Sequence, residues 1–535
     1  MSAHEGNRIV PAVFFALFWC LLFFISPYHL AFKEQLCLFA CSPASLASLF
    51  TKPAALAILS GDFLTQFFFY PAIAATITVL VASAFWCAIG RDIPSLLPVA
   101  AELILSINFE YPLAATVGVA AAAWTAYGCL HIDNKALRLT VTALCALLCY
   151  PLFGAGAFVF FVLLAFGQNK SFIPGLLTVL AGTAVIVAEG WFYLLPLNQT
   201  ITYPLISGYH IKHTYLILCV PAILALSLAL RHNRISPIIW SCAACMAAPA
   251  ILLFAADAKE EYDLKISTLA YCGKWDKVED LSRKDKFDSQ TAAYYRNLAS
   301  ARKGTLAEDL LENYQPLVHG LFLQVNGDTD YIKILASTDA LMECGDYAQA
   351  QHSAMLAMTF SPFGKSSRAT RRLAEAALAN GDTAAASRYA ELLSGALMHR
   401  KWAGEVIELC KKADCLNLSA KEDIFFFIND FTAPLRNILD SEPFNDTALQ
   451  YLLCYDLLTK DISSFKSDYD RYYLPLNTGK SAPVIYQEAL AMLDAGPAYM
   501  ISPETDARNQ DFLNGNHQAH QKSYWYYFLY AKPAE

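Results

Sequence analysis

Apolar runs separated by short polar connections fill the first half of the chain, and this pattern stops near residue 256. A run of about 20 apolar residues is long enough to cross the hydrocarbon core of a bilayer. One run, 137–166, is too long for one ordinary span and carries Pro151, Gly154 and Gly156 at its middle, where a turn between two short helices would need them. Dividing it there predicts about nine spans. The runs are 9–28, 71–89, 93–109, 111–130, 137–166, 173–195, 214–230 and 235–256.

The basic residues of the short connections predict an orientation. Cytoplasmic connections of membrane proteins are enriched in Lys and Arg. With nine spans and a cytoplasmic N-terminus, most basic residues lie on the inner side, whereas an eight-span count removes this bias. The sequence therefore predicts that residues 257–535 lie outside the cytoplasm. The inner set is Arg8, Arg91, Lys135, Arg138, Lys170, Arg231 and Arg234, and the outer set is Lys33, Lys52 and Lys212.

The second half of the chain has the pattern of paired helices. Apolar helical segments end at Gly273, Gly304, Gly345 and Gly381, and a second helical segment follows each glycine directly. The glycines recur roughly every 31 to 41 residues. This spacing brackets the tetratricopeptide period of about 34 residues, and a glycine suits the left-handed residue that ends a helix. The alternative is an α-helical domain without a repeat. The predicted fold class is all-α, with a transmembrane helical bundle followed by a tetratricopeptide-like repeat domain.

Composition supports this division of the chain. Hydrophobic residues make up 56% and charged residues 16%, with a mean hydropathy of +0.35, whereas soluble domains carry about 25% charged residues. We predict a membrane domain over 1–256, with interfacial helices in 29–70, and an extracytoplasmic repeat domain over 257–535. The net charge of −8 offers no basic stripe for phosphates, which argues against a nucleic-acid partner.

Cysteine and histidine spacings predict no metal site. The pairs His210/His213 and His517/His520 lack a third ligand nearby in sequence, and a zinc site needs three or four. Most of the 15 cysteines lie in apolar runs, where Cys behaves as a small buried hydrophobe. Cys410 and Cys415 form either one disulfide in an oxidising compartment or two buried thiols.

Five short motifs lie along the chain, at residues 33–36, 61–71, 328–331, 486–490 and 524–528. With these motifs the chain resembles an uncharacterised family of multi-spanning membrane proteins of Bacteroidetes that carry a C-terminal tetratricopeptide-like domain. The resemblance rests on five short motifs along most of the chain, and it implies a cell-envelope location without an activity. With the orientation above, it implies a multi-pass protein of the bacterial inner (cytoplasmic) membrane whose C-terminal domain is periplasmic. The closing aromatic run either caps the helical repeat or touches the membrane interface.

Acidic residues near the outer ends of the predicted spans are the first candidates for chemistry, since charges in or beside apolar spans are costly. Their arrangement resembles multi-spanning glycosyltransferases that use a lipid-phosphate-linked sugar. That resemblance implies Glu34 as general base, with Glu110 assisting it or holding a divalent cation, and Lys212 with the neighbouring histidines facing the lipid phosphate. The candidate substrate-binding residues are Asp62, Glu102, Glu189, His210, Lys212 and His213.

Two functions stay open from the sequence. The first is an envelope scaffold whose helical repeat binds a protein partner. The second is the glycosyltransferase, although neither outer loop contains the Asp-x-Asp or Asp-Glu pair of such enzymes. In the scaffold, Glu34 and Glu110 are solvated loop residues, while Glu102 and Glu189 make interhelical hydrogen bonds. Transport would favour a helix broken in mid-membrane, and only the break at 151–156 suggests one. The expected partners are the lipid bilayer with either an envelope protein or a lipid-linked sugar.

Overall fold

The computed structural model describes residues 3–39, 47–167, 172–205, 214–230, 257–284, 286–323, 325, 329–415, 430–493 and 499–531. These residues form helices and turns without a strand, which confirms the all-α prediction. Contacts divide the chain into two compact units. Unit 1 comprises Met1–Glu261, Met358–Arg371 and Ser387–Lys411, and unit 2 comprises Tyr262–Ala357, Arg372–Ala386 and Lys412–Glu535. Two stretches from beyond residue 357 therefore belong with the apolar helices.

The apolar part of the chain forms eleven helices among the described residues. Short 3-10 turns at Gln66–Phe69, Gly154–Gly156 and Thr214–Leu218 connect some of them. The helices are α1 (Ala3–Phe24), α2 (Pro27–Leu36), α3 (Ala55–Thr65), α4 (Pro71–Ile89), α5 (Leu96–Leu105), α6 (Leu113–Leu130), α7 (Lys135–Phe153), α8 (Ala157–Phe166), α9 (Phe172–Phe192), α10 (Leu197–Thr202) and α11 (Cys219–Leu230).

The prediction of about nine spans is wrong for the described part of the chain. Four helical segments are long and apolar enough to cross a membrane, or five if α1 and α2, bent by 72°, count as one span. The predicted spans 93–109 and 214–230 contain helices of only 10 and 12 residues. The span predicted at 235–256 lies outside the described residues. The four segments are Pro71–Ile89, Leu113–Leu130, Lys135–Phe166 and Ile173–Phe192.

The stretch 137–166, predicted as two spans, lies within one apolar helical segment of 32 residues, Lys135–Phe166. The glycines at its middle form the 3-10 turn between α7 and α8, and Gly154 has a left-handed φ of +59°. Glycine is required here because of close packing. A Cβ atom on Gly156 would lie 2.5 Å from the carbonyl oxygen of Gly118 on α6. Small residues of this kind let apolar helices approach closely.

The remaining described helices follow residue 257. A π-helical turn at Tyr469–Tyr473 extends one of them. The helices are α12 (Ala258–Tyr271), α13 (Trp275–Ser282), α14 (Gln290–Lys303), α15 (Leu306–Asp309), α16 (Tyr331–Cys344), α17 (Tyr347–Thr359), α18 (Ser367–Ala379), α19 (Thr383–Ser394), α20 (Arg400–Cys415), α21 (Thr432–Ser441), α22 (Asp446–Leu458), α23 (Ile462–Asp468), α24 (Val484–Met492), α25 (Pro503–Leu513) and α26 (Tyr524–Tyr530).

The predicted glycine caps are confirmed. Gly273, Gly304, Gly345 and Gly381 follow α12, α14, α16 and α18 with φ between +69° and +86°, a conformation that L residues with a Cβ rarely adopt. Each is followed by a second helix, although α15 has only 4 residues. Paired helices are therefore present where the glycine spacing predicts them.

The C-terminal aromatic run packs inside unit 2. Tyr524 and Trp525 on α26 are buried, and their backbone N–H and indole N–H donate to the Glu488 carboxylate at 2.7 Å and the Glu488 carbonyl at 2.9 Å. The Tyr527 hydroxyl donates to the carbonyl of Leu458 at 2.8 Å. The run thus covers the adjacent helices α22 and α24, as the capping alternative predicts.

Candidate functional site

Helix α2 carries the first of the predicted catalytic acids. It begins at Pro27, whose fixed φ and missing N–H suit the first turn of a helix, and it ends at Leu36. Every residue from His29 to Leu36 is buried, Lys33 and Glu34 included. A helix of this composition has no purely apolar face, so its polar side chains need partners inside the protein.

Glu34 finds its partners on a distant part of the chain. Its Oε1 lies 2.8 Å from Nε2 of His399, and the side chains of both residues are about 95% buried. The Ser367 hydroxyl donates to the backbone carbonyl of Glu34 at 3.0 Å and lies 3.4 Å from Oε1. The carboxylate is therefore already hydrogen-bonded and is shielded from water.

Asp62 on α3 is engaged in a similar way. The Lys365 ammonium forms an ion pair with its Oδ2, and the Cys37 thiol lies 3.3 Å from its Oδ1. Burial by itself lowers the pKa of Lys365, but the negative charge of Asp62 outweighs burial, and the net shift is upward. Lys365 is consequently held as a cation against the carboxylate.

Further hydrogen bonds link the same segments. The Ser366 hydroxyl donates to the Gln35 carbonyl at 2.7 Å, and Arg368 donates to Gln35 Oε1 at 3.0 Å. The amide N–H of Leu397 donates to Gln66 Oε1 at 2.8 Å. We call this cluster the α2 joint. It comprises Glu34, Gln35, Asp62 and Gln66 from the apolar part of unit 1, and Lys365, Ser366, Ser367, Arg368, Leu397 and His399 from its later stretches.

The N-terminal end of α2 has a second set of charged contacts. His29 lies between two carboxylates, with Nδ1 2.5 Å from Glu261 and Nε2 2.8 Å from Glu260. The backbone N–H groups of Tyr28 and His29 donate to the Glu261 carboxylate at 2.8 and 3.0 Å. A carboxylate at this position satisfies N–H groups that the first helical turn leaves unpaired, and it complements the helix dipole.

Glu102 on α5 is fully buried. The Tyr111 hydroxyl donates to its two carboxylate oxygens at 3.0 and 3.1 Å. The Lys33 ammonium donates to the nearby Ser106 carbonyl at 2.5 Å. These bonds join α2, α5 and the turn before α6, and they agree with the sequence alternative in which Glu102 makes hydrogen bonds between helices.

The other candidate residues are not members of the α2 joint, and three of them lie outside the described residues. Glu110 is half-buried in the turn before α6, where its backbone N–H donates to Asn108 Oδ1 at 2.8 Å. Glu189 is half-buried on α9, and its Oε2 has no hydrogen-bond partner among the described residues. His210, Lys212 and His213 lie outside the described residues. A shared site for all of these residues stays a prediction.

The geometry decides what Glu34 can do chemically. A general base must come within hydrogen-bonding distance of the proton that it removes. His399 and Ser367 already lie within hydrogen-bonding distance of Glu34 Oε1, so an acceptor hydroxyl at this oxygen would compete with both. The arrangement suits a structural contact between distant parts of unit 1 better than it suits catalysis.

Sequence analysis missed the partners of these acids. Lys365 to Arg368 form a polar run that leads into the first turn of α18, and such a run is typical of a solvated helix start. His399 precedes α20 without any motif around it. The polarity of α2 beside an apolar run is the one signal in the sequence that could have indicated buried partners. The alternative that treats Glu34 as a solvated loop residue is wrong, because Glu34 is buried on α2.

No group of three or more His, Cys, Asp or Glu within the described ranges is arranged to hold a metal ion. His517 lies 2.6 Å from the Tyr530 hydroxyl, and His520 lies 2.8 Å from Asp511. Cys410 is buried.

Unit 2 contains two cavities. One, of about 720 Å³, is mainly apolar and is lined by Phe322, Leu341, Leu356 and Phe431 among others. The other, of about 1110 Å³, is mainly polar and lies between the start of α15, the start of α22 and the segment that follows the π-helical turn. Neither cavity contains one of the candidate catalytic or substrate-binding residues, although Gly304 and two residues of the motif 486–490, Tyr486 and Gln487, line the polar one.

The chain is an all-helical protein with several helices apolar enough to span a membrane. A family model described as a family of unknown function (DUF6057) matches residues 5–531. The chain belongs to this family, which agrees with the expected membership of an uncharacterised family. No curated protein matches the chain, and no solved structure matches it.

Proposed function

We propose that the protein is an interaction protein of the bacterial cell envelope, anchored in the cytoplasmic membrane by its apolar helices. The helices that follow residue 257 would form a tetratricopeptide-like domain that binds a protein partner outside the cytoplasm. The α2 joint carries this proposal. A lipid-linked glycosyltransferase would need the carboxylates of Glu34 and Asp62 to be accessible to its substrates. Here the Glu34 carboxylate is bound to His399 and the Asp62 carboxylate is bound to Lys365.

Contacts around α2 support the proposed orientation. The rings of Phe32 and Phe109 lie 5.5 Å apart, so the turn before α6 is next to α2 and to the later stretches that bind it. Helix α6 has 18 residues and is therefore about 27 Å long. Lys135 and Arg138 follow its opposite end. Because basic residues favour the cytoplasmic side, the later stretches belong on the outer side.

The glycine caps support the repeat assignment. Left-handed glycines end the first helix of each pair at Gly273, Gly304, Gly345 and Gly381. Helix pairs with this construction stack into extended surfaces that bind other proteins. Unit 2 also contains 21 Lys and Arg against 33 Asp and Glu, so a partner with a basic surface would be attracted to it.

Photo-crosslinking in intact cells tests this function. A photoreactive amino acid replaces Phe444 or Leu513, which are 86% and 68% exposed in unit 2. We expect a discrete covalent adduct with the same envelope protein from each position, identified by mass spectrometry. Replacement of Leu180, an exposed residue of the apolar helix α9, is the matched control and should give lipid adducts only. Absence of a protein adduct from both unit 2 positions would contradict the proposal.

A further inference from the structure

The polar cavity of unit 2 is open to solvent, and hydrogen bonds connect the segments that form its walls. Gln450 is buried, accepts from the N–H of Leu306 at 2.9 Å and donates to Asp446 at 2.7 Å. Gln487 is also buried; it donates to the Ala482 carbonyl at 2.6 Å and accepts from the N–H of Ser502 at 2.8 Å. The side-chain amides of Gln450 and Gln487 therefore connect the wall segments to one another. These hydrogen bonds maintain the shape of the cavity without a ligand.

An aromatic ring forms part of the wall. Tyr473 ends the π-helical turn, and its ring stacks on Tyr469 at 4.8 Å and meets Tyr486 edge-on at 5.6 Å. These contacts fix its orientation. Irregular helical turns of this type frequently occur at functional sites.

The polar atoms left over on the walls are mainly hydrogen-bond acceptors. Glu308 and Asp446 are exposed carboxylates that line the cavity from two adjacent segments, the starts of α15 and α22. The amide N–H₂ of Asn477 is used on the Tyr473 carbonyl at 3.1 Å, which leaves its oxygen as an acceptor. Burial, and then the charges of Asp446 and Glu308, raise the pKa of Tyr473, so both carboxylates act on the same ring. The fifteen described residues that line the cavity contain no Lys, Arg or His.

We propose that this cavity binds an arginine or lysine side chain of a basic peptide segment on the protein partner. The carboxylates of Glu308 and Asp446 would accept charge-assisted hydrogen bonds from the cation, and the Tyr473 ring would supply a cation–π contact. The excess of acids over bases in unit 2 would attract the same segment. The inference rests on the proposed interaction function and gives it a partner chemistry.

Fluorescence anisotropy with the full-length protein in nanodiscs tests the inference. The probe is a labelled glycine–serine peptide with two arginines, and its matched control has citrulline, the neutral isostere, at both positions. We expect the arginine peptide to bind and the citrulline peptide to bind at least tenfold more weakly. Equal binding of the two peptides, or no binding of either, would overturn the inference.

Variants distinguish the cavity from a general attraction to an acidic surface. Glu308→Gln and Asp446→Asn should each weaken arginine-peptide binding by about tenfold. Tyr473→Leu should weaken it about three- to fivefold, and Tyr473→Phe, which keeps the ring, should retain it. The charge-matched control replaces two exposed acids outside the cavity, Asp280→Asn with Glu504→Gln, and should bind like the wild type. An equal loss in this control would overturn the inference.

Failure of this inference can be told from failure of the proposed function. If position 444 gives a protein adduct in cells but the arginine peptide does not bind, the interaction function stands and the cavity is not its basic-residue site. If neither result is obtained, both proposals fail.

Discussion

Glu34 Oε1 and His399 Nε2 lie 2.8 Å apart, although 365 positions separate the two residues in the chain. Both side chains are buried. The contact shows that the apolar helices of unit 1 are completed by residues from far beyond them in sequence. It also explains why an acid is buried on α2: Glu34 has a hydrogen-bonding partner in His399, and no catalytic role is needed to explain its burial.

A double-mutant cycle on this pair measures their coupling. Removing one partner of a buried charged or hydrogen-bonded pair leaves the other unsatisfied, so Glu34→Ala or His399→Ala should each destabilise the protein by about 3 kcal/mol. The double variant should lose less than the sum, with a coupling of about 1–3 kcal/mol. Thermal unfolding of the purified protein in detergent gives these values. Additive losses would mean that the two side chains do not stabilise each other.

The ion pair of Lys365 and Asp62 should behave as a unit. Lys365→Met leaves the buried Asp62 carboxylate without its cation, at a cost of about 3 kcal/mol. Asp62→Asn in the same chain removes the unpaired charge and should restore most of that stability, measured by the same unfolding experiment. If the second change brings no recovery, the Lys365 side chain contributes through packing instead of charge.

Gly61, next to Asp62 on α3, should tolerate no side chain. A Cβ atom at this position would lie 2.5 Å from the Cα of Ala114 on α6, and backbone atoms cannot yield at low cost. We expect Gly61→Ala to destabilise the protein by at least about 2 kcal/mol. Gly128→Ala on α6, where a Cβ atom meets nothing within 4 Å, is the control and should be neutral or slightly stabilising. Similar melting temperatures for the two variants would refute this packing.

Unit 2 should lose stability at alkaline pH because of Asp456. Burial, and then the neighbouring charge of Asp468, raise the pKa of Asp456 to about 8, whereas an unfolded aspartate has a pKa of about 3.9. The folded state thus binds the proton more tightly, so its stabilisation is full below pH 4 and is lost as the pH rises towards 8. We expect the melting temperature to fall by several degrees from pH 6 to pH 9. Asp456→Asn should flatten this dependence, and an unchanged slope would exclude Asp456 as its source.

Much of the helical architecture follows from local sequence. Apolar runs predict α4, α6 and α9, because twenty apolar residues favour a helix regardless of their surroundings. The glycine positions predict the ends of α12, α14, α16 and α18, because the left-handed cap is a local requirement of the backbone.

The span count was harder to predict because hydropathy measures composition and not helix length. The run 93–109 is apolar throughout, yet α5 occupies only Leu96–Leu105, since Pro94 and the turn at Ser106 limit the helix on both sides. The run 137–166 contains a turn, but the helical segment is long enough to count once.

The candidate site could be predicted only in part. The motif 33–36 and Asp62 stand out in the sequence because charges are unusual beside apolar runs. The role of these charged residues depends on partners that are more than 300 residues away in the chain. No local pattern around Lys365 or His399 indicates those partners. Spacing and periodicity describe neighbours within a few turns of helix, and contacts of this sequence separation lie beyond them.

One measurement tests the account most directly: photo-crosslinking from position 444 in intact cells, in the wild type and in Glu34→Gln, together with analysis of the envelope glycans. The account predicts a discrete protein adduct of the same identity in both and unchanged glycans. Glu34→Gln keeps a hydrogen-bonding side chain at the α2 joint, so the protein should still be folded and inserted. Loss of a glycan in this variant, with no adduct from position 444 in either protein, would contradict an interaction role and restore Glu34 as a catalytic residue.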